Sequence, residues 1–201
     1  SQLKKRPAVF VSASSWGYYG DRGTELLNED SISGRDFLST VCVRWEQEAI
    51  KAESLGIRVI RIRSGLVLDT KGGALAPLAL LTKLGAAGRL GSGQQWWSWI
   101  HIEDEVGLML HAIESNINGP INASSPSPVT QYEFSRILAG TLKRPHILHT
   151  PGFMLRGLLG EFSTELLFSR RMSPKVALAS GYAYRFSGLK SALNDFFLNE
   201  A

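Results

Sequence analysis

The spacing of apolar positions changes period several times along the chain, and those changes divide it into elements. Residues 7–13 (PAVFVSA) are a short run containing Val and Phe that gives way to Ser, Trp and Gly, the pattern of a buried strand entering a loop. Over residues 36–55 the period becomes helical. Phe37, Val41, Trp45, Ala49 and Ala52 fall on one stripe, and Gly56 supplies the stop. Residues 57–62 (IRVIRI) return to strand character, and Arg63-Ser64-Gly65 opens the next loop. Strand, loop, helix, glycine and strand in that order predict a βαβ unit, and so an α/β fold with a parallel, doubly wound sheet.

Beyond Gly72-Gly73 the pattern predicts a short apolar helix over 74–84 and a glycine-rich stretch over 85–93. Residues 96–102 (WWSWIHI) alternate like a strand, with Trp96, Ser98 and Ile100 on one side and Trp97, Trp99 and His101 on the other. Helical spacing resumes over 103–114 through Val106, Leu110 and Ile113, and 119–123 (GPINA) reads as a strand. From Val129 helices dominate, at 130–142, 153–159, 163–168 and 173–178. A short strand at 182–184 and an amphipathic helix at 189–198 complete the pattern.

Composition narrows the class. With 201 residues, 44% hydrophobic and 20% charged, the chain has the makeup of a globular protein with material for a sizeable core. The longest apolar run, around residues 75–81, is too short to span a bilayer, and the polar, basic first six residues carry no secretory pattern. A single cysteine, Cys42, excludes an intramolecular disulfide and leaves an intracellular setting, cytoplasm or organelle matrix, as the expectation. The formal charge of +4 is lopsided: nine basic side chains face two acidic ones between Arg136 and Lys190. They stand singly among apolar residues, as on solvated helix faces, so neither a nucleic acid nor a membrane is expected as partner.

A doubly wound dinucleotide domain opens with a strand and a glycine-rich turn whose amides hold the pyrophosphate. No G-x-G-x-x-G stands in that position, and the glycines of 88–93 follow a helix and precede a strand. Either the fold differs, or the first half of the domain lies outside the chain.

Longer motifs favour the second option. Phe10-Val11-Ser12-Ala13-Ser14 precedes Gly17-Tyr18-Tyr19-Gly20, and Trp45-Glu46, Arg63-Ser64-Gly65-Leu66-Val67-Leu68 and Gly72-Gly73-Ala74-Leu75 follow. Then come the stretch from Gly91 to Asp104 (GSGQQWWSWIHIED), Asn122-Ala123-Ser124-Ser125-Pro126, Arg144-Pro145, Leu159-Gly160-Glu161, and Pro174 ahead of Gly181-Tyr182. In that order they resemble the atypical extended short-chain dehydrogenases/reductases, in the branch of nucleoside-diphosphate-sugar epimerases and NADP-dependent oxidoreductases. The resemblance implies a Rossmann-like fold with roughly three βαβ units of ~30 residues each before residue 1. Residues 1–70 would complete the nucleotide domain. Residues 71–201 would form a smaller, helix-rich substrate domain that partly returns to the sheet.

The same resemblance implies the site. Ser14 would hydrogen-bond the reacting carbonyl or hydroxyl while a tyrosine, lowered in pKa by a lysine, moves the proton. The Tyr-x-x-x-Lys pair is absent. With Glu46 on the family's helix glutamate, Leu38 and Cys42 occupy its two positions, and a different register gives Thr40 and Arg44. Tyr18 and Tyr19 are the nearby phenols, and Tyr19 is the candidate substitute, although no lysine is spaced to activate either. Ser12, Leu66 and Val67 would contact the cofactor, expected to be NADP, with Ser14 and Val67 together at the carboxyl edge of the sheet. Gln94 and Trp96 are candidate substrate contacts, because an aromatic face beside glycines can stack a base or sugar. The alternative is a packed corner with Asp104 capping the helix after it. His146 and His149 lack a third ligand, so no metal is expected, and Cys42 on an apolar stripe reads as core. Two functions remain open: an NADP(H)-dependent oxidoreductase or epimerase-like enzyme acting on a small molecule, or a nucleotide-binding or interaction module without catalysis.

Overall fold

The structure, a computed structural model, describes residues 6–198. In chain order its elements are β1 (Val9–Ser15), β2 (Leu26–Leu27), α1 (Phe37–Ile50), β3 (Arg58–Ser64), β4 (Leu66–Leu68), α2 (Leu75–Lys83), β5 (Gly88–Leu90), β6 (Trp96–Trp97) and β7 (Trp99–His101). They continue with α3 (Ile102–Glu114), β8 (Gly119–Ala123), β9 (Val129–Thr130), α4 (Gln131–Thr141), β10 (Leu148–Thr150) and α5 (Gly152–Leu159). Last come α6 (Ser163–Leu167), β11 (Arg171–Met172), α7 (Lys175–Ala179) and α8 (Leu189–Leu198).

A parallel sheet in the order β1-β3-β8 forms the frame, with Ser14 opposite Arg63 and Ser15 opposite Ser64 at its carboxyl edge. Parallel pairing needs a crossover, and α1 and α3 supply the two that join these strands. Ile60, Ile62, Ile121 and Ala123 of the sheet form one apolar core with Ile100, Leu108 and Ala112. A second core gathers Trp16, Tyr19 and Leu27 with Leu68, Leu75, Trp97, Trp99, Phe134 and residues of α8.

Four local expectations change. The stripe of Phe37, Val41 and Trp45 does not face the core: Phe37 is 72% and Trp45 55% exposed. The buried face of α1 carries Ser39, Cys42, Glu46 and Ala49. Glu46 selects that face through an ion pair with β3, which an apolar-periodicity argument does not register. Residues 96–102 form two short strands rather than one, and Trp97, Ser98, Trp99, Ile100 and His101 are all buried. The ladder breaks at Ser98, whose hydroxyl donates to the Arg170 carbonyl and accepts from Met172 N–H.

Residues 182–184 are irregular and pair with no strand among the described residues. They serve through their side chains: the Tyr182 hydroxyl donates to the Asp104 carbonyl at 3.0 Å, and the Tyr182 and Tyr184 rings meet edge-on. Gly107 makes room, since a Cβ there would lie 2.5 Å from the Tyr182 hydroxyl. The cap of α3 is His101, whose Nδ1 accepts from Glu103 N–H at 3.1 Å. Asp104 instead accepts from Arg185 and Phe186 N–H, tying the segment before α8 to α3.

Candidate functional site

At the carboxyl edge of β1 and β3 lies a buried polar cluster. The Glu46 carboxylate accepts from Ser14 Oγ at 2.7 Å and from Arg63 Nε and Nη2 at 2.8 and 3.0 Å. Glu46 and Arg63 are only 3% and 2% exposed. Desolvating two charges is costly, and the bidentate geometry plus the Ser14 bond offsets that cost. Burial would lower the Arg63 pKa, but hydrogen bonds to Glu46 and Tyr19 and the charge of Glu46 hold it above its ordinary value.

The cluster continues through Arg63. Its Nη1 donates to the Tyr19 hydroxyl at 3.0 Å, and Tyr19 in turn reaches Asn122 Oδ1 at 2.6 Å. Asn122 Nδ2 donates to the Leu27 and Ser173 carbonyls, so the chain of bonds joins α1, β1, β2, β3 and β8 with the segment after β11. The Tyr18 ring stacks on the guanidinium, 3.4 Å from its centroid. Tyr19 is fully buried, and burial, against the opposing pull of Arg63, pushes its pKa up to about 12. A phenol so placed holds its proton and fixes Arg63.

Two cavities flank the segment that follows β1. One, about 550 Å³, is bounded by Trp16, Leu66, Val67, Leu78, Trp97 and Phe162 among others. The other, about 580 Å³, includes Ser15, Gly17, Leu38 and Cys42. Phe162 and Glu165 line both. Glu165 accepts from Trp16 Nε1 at 2.9 Å and from Arg170 Nη2 at 3.1 Å. Burial, then the charge of Glu46, pushes the Cys42 thiol up, which disfavours a thiolate. Near the same edge, Ser64 Oγ donates to Glu105 Oε1 at 2.5 Å, while Oε2 is buried without a partner among the described residues. Burial pushes the Glu105 pKa up to about 7, with the Ser64 bond opposing it.

Residues 150–196 match the model of a domain of unknown function, DUF1731. The chain is 42% identical over 194 residues to the chloroplastic epimerase family protein SDR39U1 homolog of Arabidopsis thaliana, covering 96% of this chain and 56% of that protein. It is 39% identical to epimerase family protein YfhF of Bacillus subtilis, covering 95% of this chain and 63% of the relative. The crystal structure of human epimerase family protein SDR39U1 (isoform 2) with NADPH superposes with a TM-score of 0.89 at 31% identity, covering 98% of this chain and 68% of that one. The chain belongs to this epimerase family. It is an atypical branch of the extended short-chain dehydrogenases/reductases, with the Rossmann-like fold of its structural neighbours. The chain spans 56–63% of the length of these two curated relatives.

Within this epimerase-family frame the expected site residues separate into groups. Ser14 joins the Glu46–Arg63 pair, and Leu66 and Val67 line the first cavity. Tyr19 is drawn into the Arg63–Asn122 network. Ser12 is buried two residues before Ser14, with its hydroxyl toward the Ala13 carbonyl. Leu38 and Cys42 line the second cavity, whereas Thr40 and Arg44 are exposed, so the first of the two registers is the one that faces the site. Gln94 and Trp96 stand apart from both cavities; Trp96 packs under the Arg171 guanidinium, 4.3 Å from its ring centroid. The glycines beside them admit protein rather than open space, since a Cβ on Gly91 would lie 2.7 Å from Leu167 and one on Gly93 2.5 Å from Arg89. Sequence reasoning missed the Glu46–Arg63–Tyr19–Asn122 cluster as a unit. Its signal is a carboxylate on the same helical face as Ser39 and Cys42, opposite the arginines of IRIRS.

Proposed function

We propose that the complete gene product is an NADP(H)-dependent oxidoreductase or epimerase-like enzyme acting on a small molecule, and that this chain supplies the rim beside the nicotinamide. The observation that carries the reading is the parallel register that sets Ser14 beside Arg63, with the chain leaving β3 directly into the cavity wall at Leu66 and Val67. Ligands of open α/β sheets bind at that edge. The human relative was solved with NADPH, which supports the choice of cofactor.

The residues present fit one end of that cofactor. An apolar wall of Leu66, Val67 and Trp16 suits a nicotinamide ring, whereas neither cavity is lined by a lysine or arginine among the described residues to meet the phosphates. NADP(H), when bound, supplies hydride exchange; the chain's own groups orient and exclude water. Ser14 is buried and lines neither cavity; because its hydroxyl donates to Glu46, its oxygen keeps lone pairs that suit it to accept from a hydroxyl brought to the rim. Residues 1–70 are proposed to complete the nucleotide domain and 71–201 to form the substrate domain.

A second reading rests on Leu38 and Cys42. Neither can play the tyrosine or lysine part, which favours a nucleotide-binding module without that proton relay. Calorimetric titration with NADPH tests the binding that both readings share. The complete gene product is expected to bind and the 201-residue chain alone to bind weakly or not at all; absence of binding by the complete product refutes both.

A further inference from the structure

Resting on the reading that the rim holds the nicotinamide, we infer that the cavity beside it takes a largely apolar molecule of the aliphatic or aromatic ketone or alcohol class, not a nucleoside-diphosphate sugar. Its volume, about 550 Å³, is that of a small-molecule site. Among the described residues its lining contains no lysine, arginine, histidine, asparagine, glutamine, serine or threonine. Both indoles in the wall have committed their N–H groups, Trp16 to Glu165 and Trp97 to the Leu166 carbonyl, and offer a ligand their ring surfaces.

The one ionisable group in the lining is an anion, Glu165. It is held by Trp16 and by Arg170, which is fully buried and does not reach the cavity wall. A diphosphate brought here would lose water, meet no cation from the described lining and approach a carboxylate, and Glu165 is the one side-chain acceptor that lining offers sugar hydroxyls. An apolar skeleton gains from the same wall by leaving water. The apolar surface runs on to the mouth, where Leu81 and Phe162 are 51% and 66% exposed. The second cavity offers no rescue: its ionisable side chains are Asp36, Cys42, Glu161 and Glu165.

The test uses the complete gene product, with 2-decanone, 1-tetralone and UDP-glucose as probes in saturation-transfer NMR and calorimetry, and NADPH binding measured separately. The ketones are expected to bind saturably and UDP-glucose not to. Ala74→Phe, which fills the cavity, and Leu81→Glu, a half-exposed change at its mouth that spares the core, are each expected to weaken ketone binding about tenfold or more. Saturable UDP-glucose binding that the ketones compete away, no ketone binding, or ketone affinity unmoved in both folded variants overturns the assignment. Ketone binding without NADPH binding leaves the cavity assignment standing and defeats the enzymatic reading. NADPH binding with UDP-glucose seated in the cavity does the reverse.

Discussion

Two regions meet at the carboxyl edge of the sheet and differ in almost every respect. The cluster of Ser14, Glu46, Arg63, Tyr19 and Asn122 is polar, buried and bonded to itself. The cavity next to it is open and apolar, with Leu66, Val67, Trp16 and Trp97 in its wall. The difference teaches where the reactive-looking side chains act. Tyr19 and Glu46, which catch the eye as an acid and a base, brace β1, β3 and β8 and position Ser14, while the space a ligand can enter is bounded by hydrocarbon.

The largest expected effect breaks the polar region. Arg63→Met leaves the buried Glu46 carboxylate with only the Ser14 hydroxyl and a longer 3.4 Å contact to Arg61, and should cost about 3 kcal/mol in urea unfolding. Adding Glu46→Leu to the same chain should recover much of that loss, because a well-packed apolar pair can replace a buried ion pair. If the single variant unfolds like the wild type, the cluster does not brace the sheet.

Next comes Glu105, whose pKa rises in the fold from 4.5 to about 7. The folded state therefore holds this proton more tightly than the unfolded chain does. Its stabilising contribution is complete below the ordinary glutamate range and is lost as pH rises through about 7. Glu105→Gln should gain roughly 1–3 kcal/mol over the wild type at pH ~8, with the gap closing towards pH ~4. Melting temperatures across that range check it, and a constant gap contradicts it.

Trp96→Ala sharpens the boundary of the site. A packing role under Arg171 predicts a loss of roughly 1 kcal/mol in stability and unchanged ligand affinity. Lost affinity in a stable variant would return Trp96 to the ligand. Smallest of all should be Trp45→Ser, within about 0.5 kcal/mol, since the indole is largely exposed. One residue further on, Glu46 carries the ion pair, so this near-silent change set against the severe Arg63→Met reads out which face of α1 packs.

Much of the frame was legible in the sequence. The strand at Gly119–Ala123 and the helix at Leu189–Leu198 fall where apolar period and glycine spacing put them, and the βαβ order around α1 is the one observed. Period failed where polar pairing decides. Glu46 turns α1 so that its apolar stripe faces out, and Ser98 splits a tryptophan-rich strand by bonding Arg170 and Met172. Two-residue strands such as β2, β6, β9 and β11 exist only through long-range partners, and no local signal marks them. The serine at the end of β1 and the Leu66–Val67 exit were legible through motif order. The sealing of Tyr19 was not, because it depends on Arg63 and Asn122, which stand 44 and 103 residues away in the chain.

The central claim is that the rim formed by the ends of β1 and β3 meets the nicotinamide. The most direct measurement is an intermolecular nuclear Overhauser spectrum of the complete gene product, with labelled methyl groups and saturating NADPH. Cross-peaks from the nicotinamide ring protons to the methyl groups of Leu66 and Val67 are the predicted result. Bound NADPH whose ring protons contact other methyl groups and leave those of Leu66 and Val67 silent would contradict it.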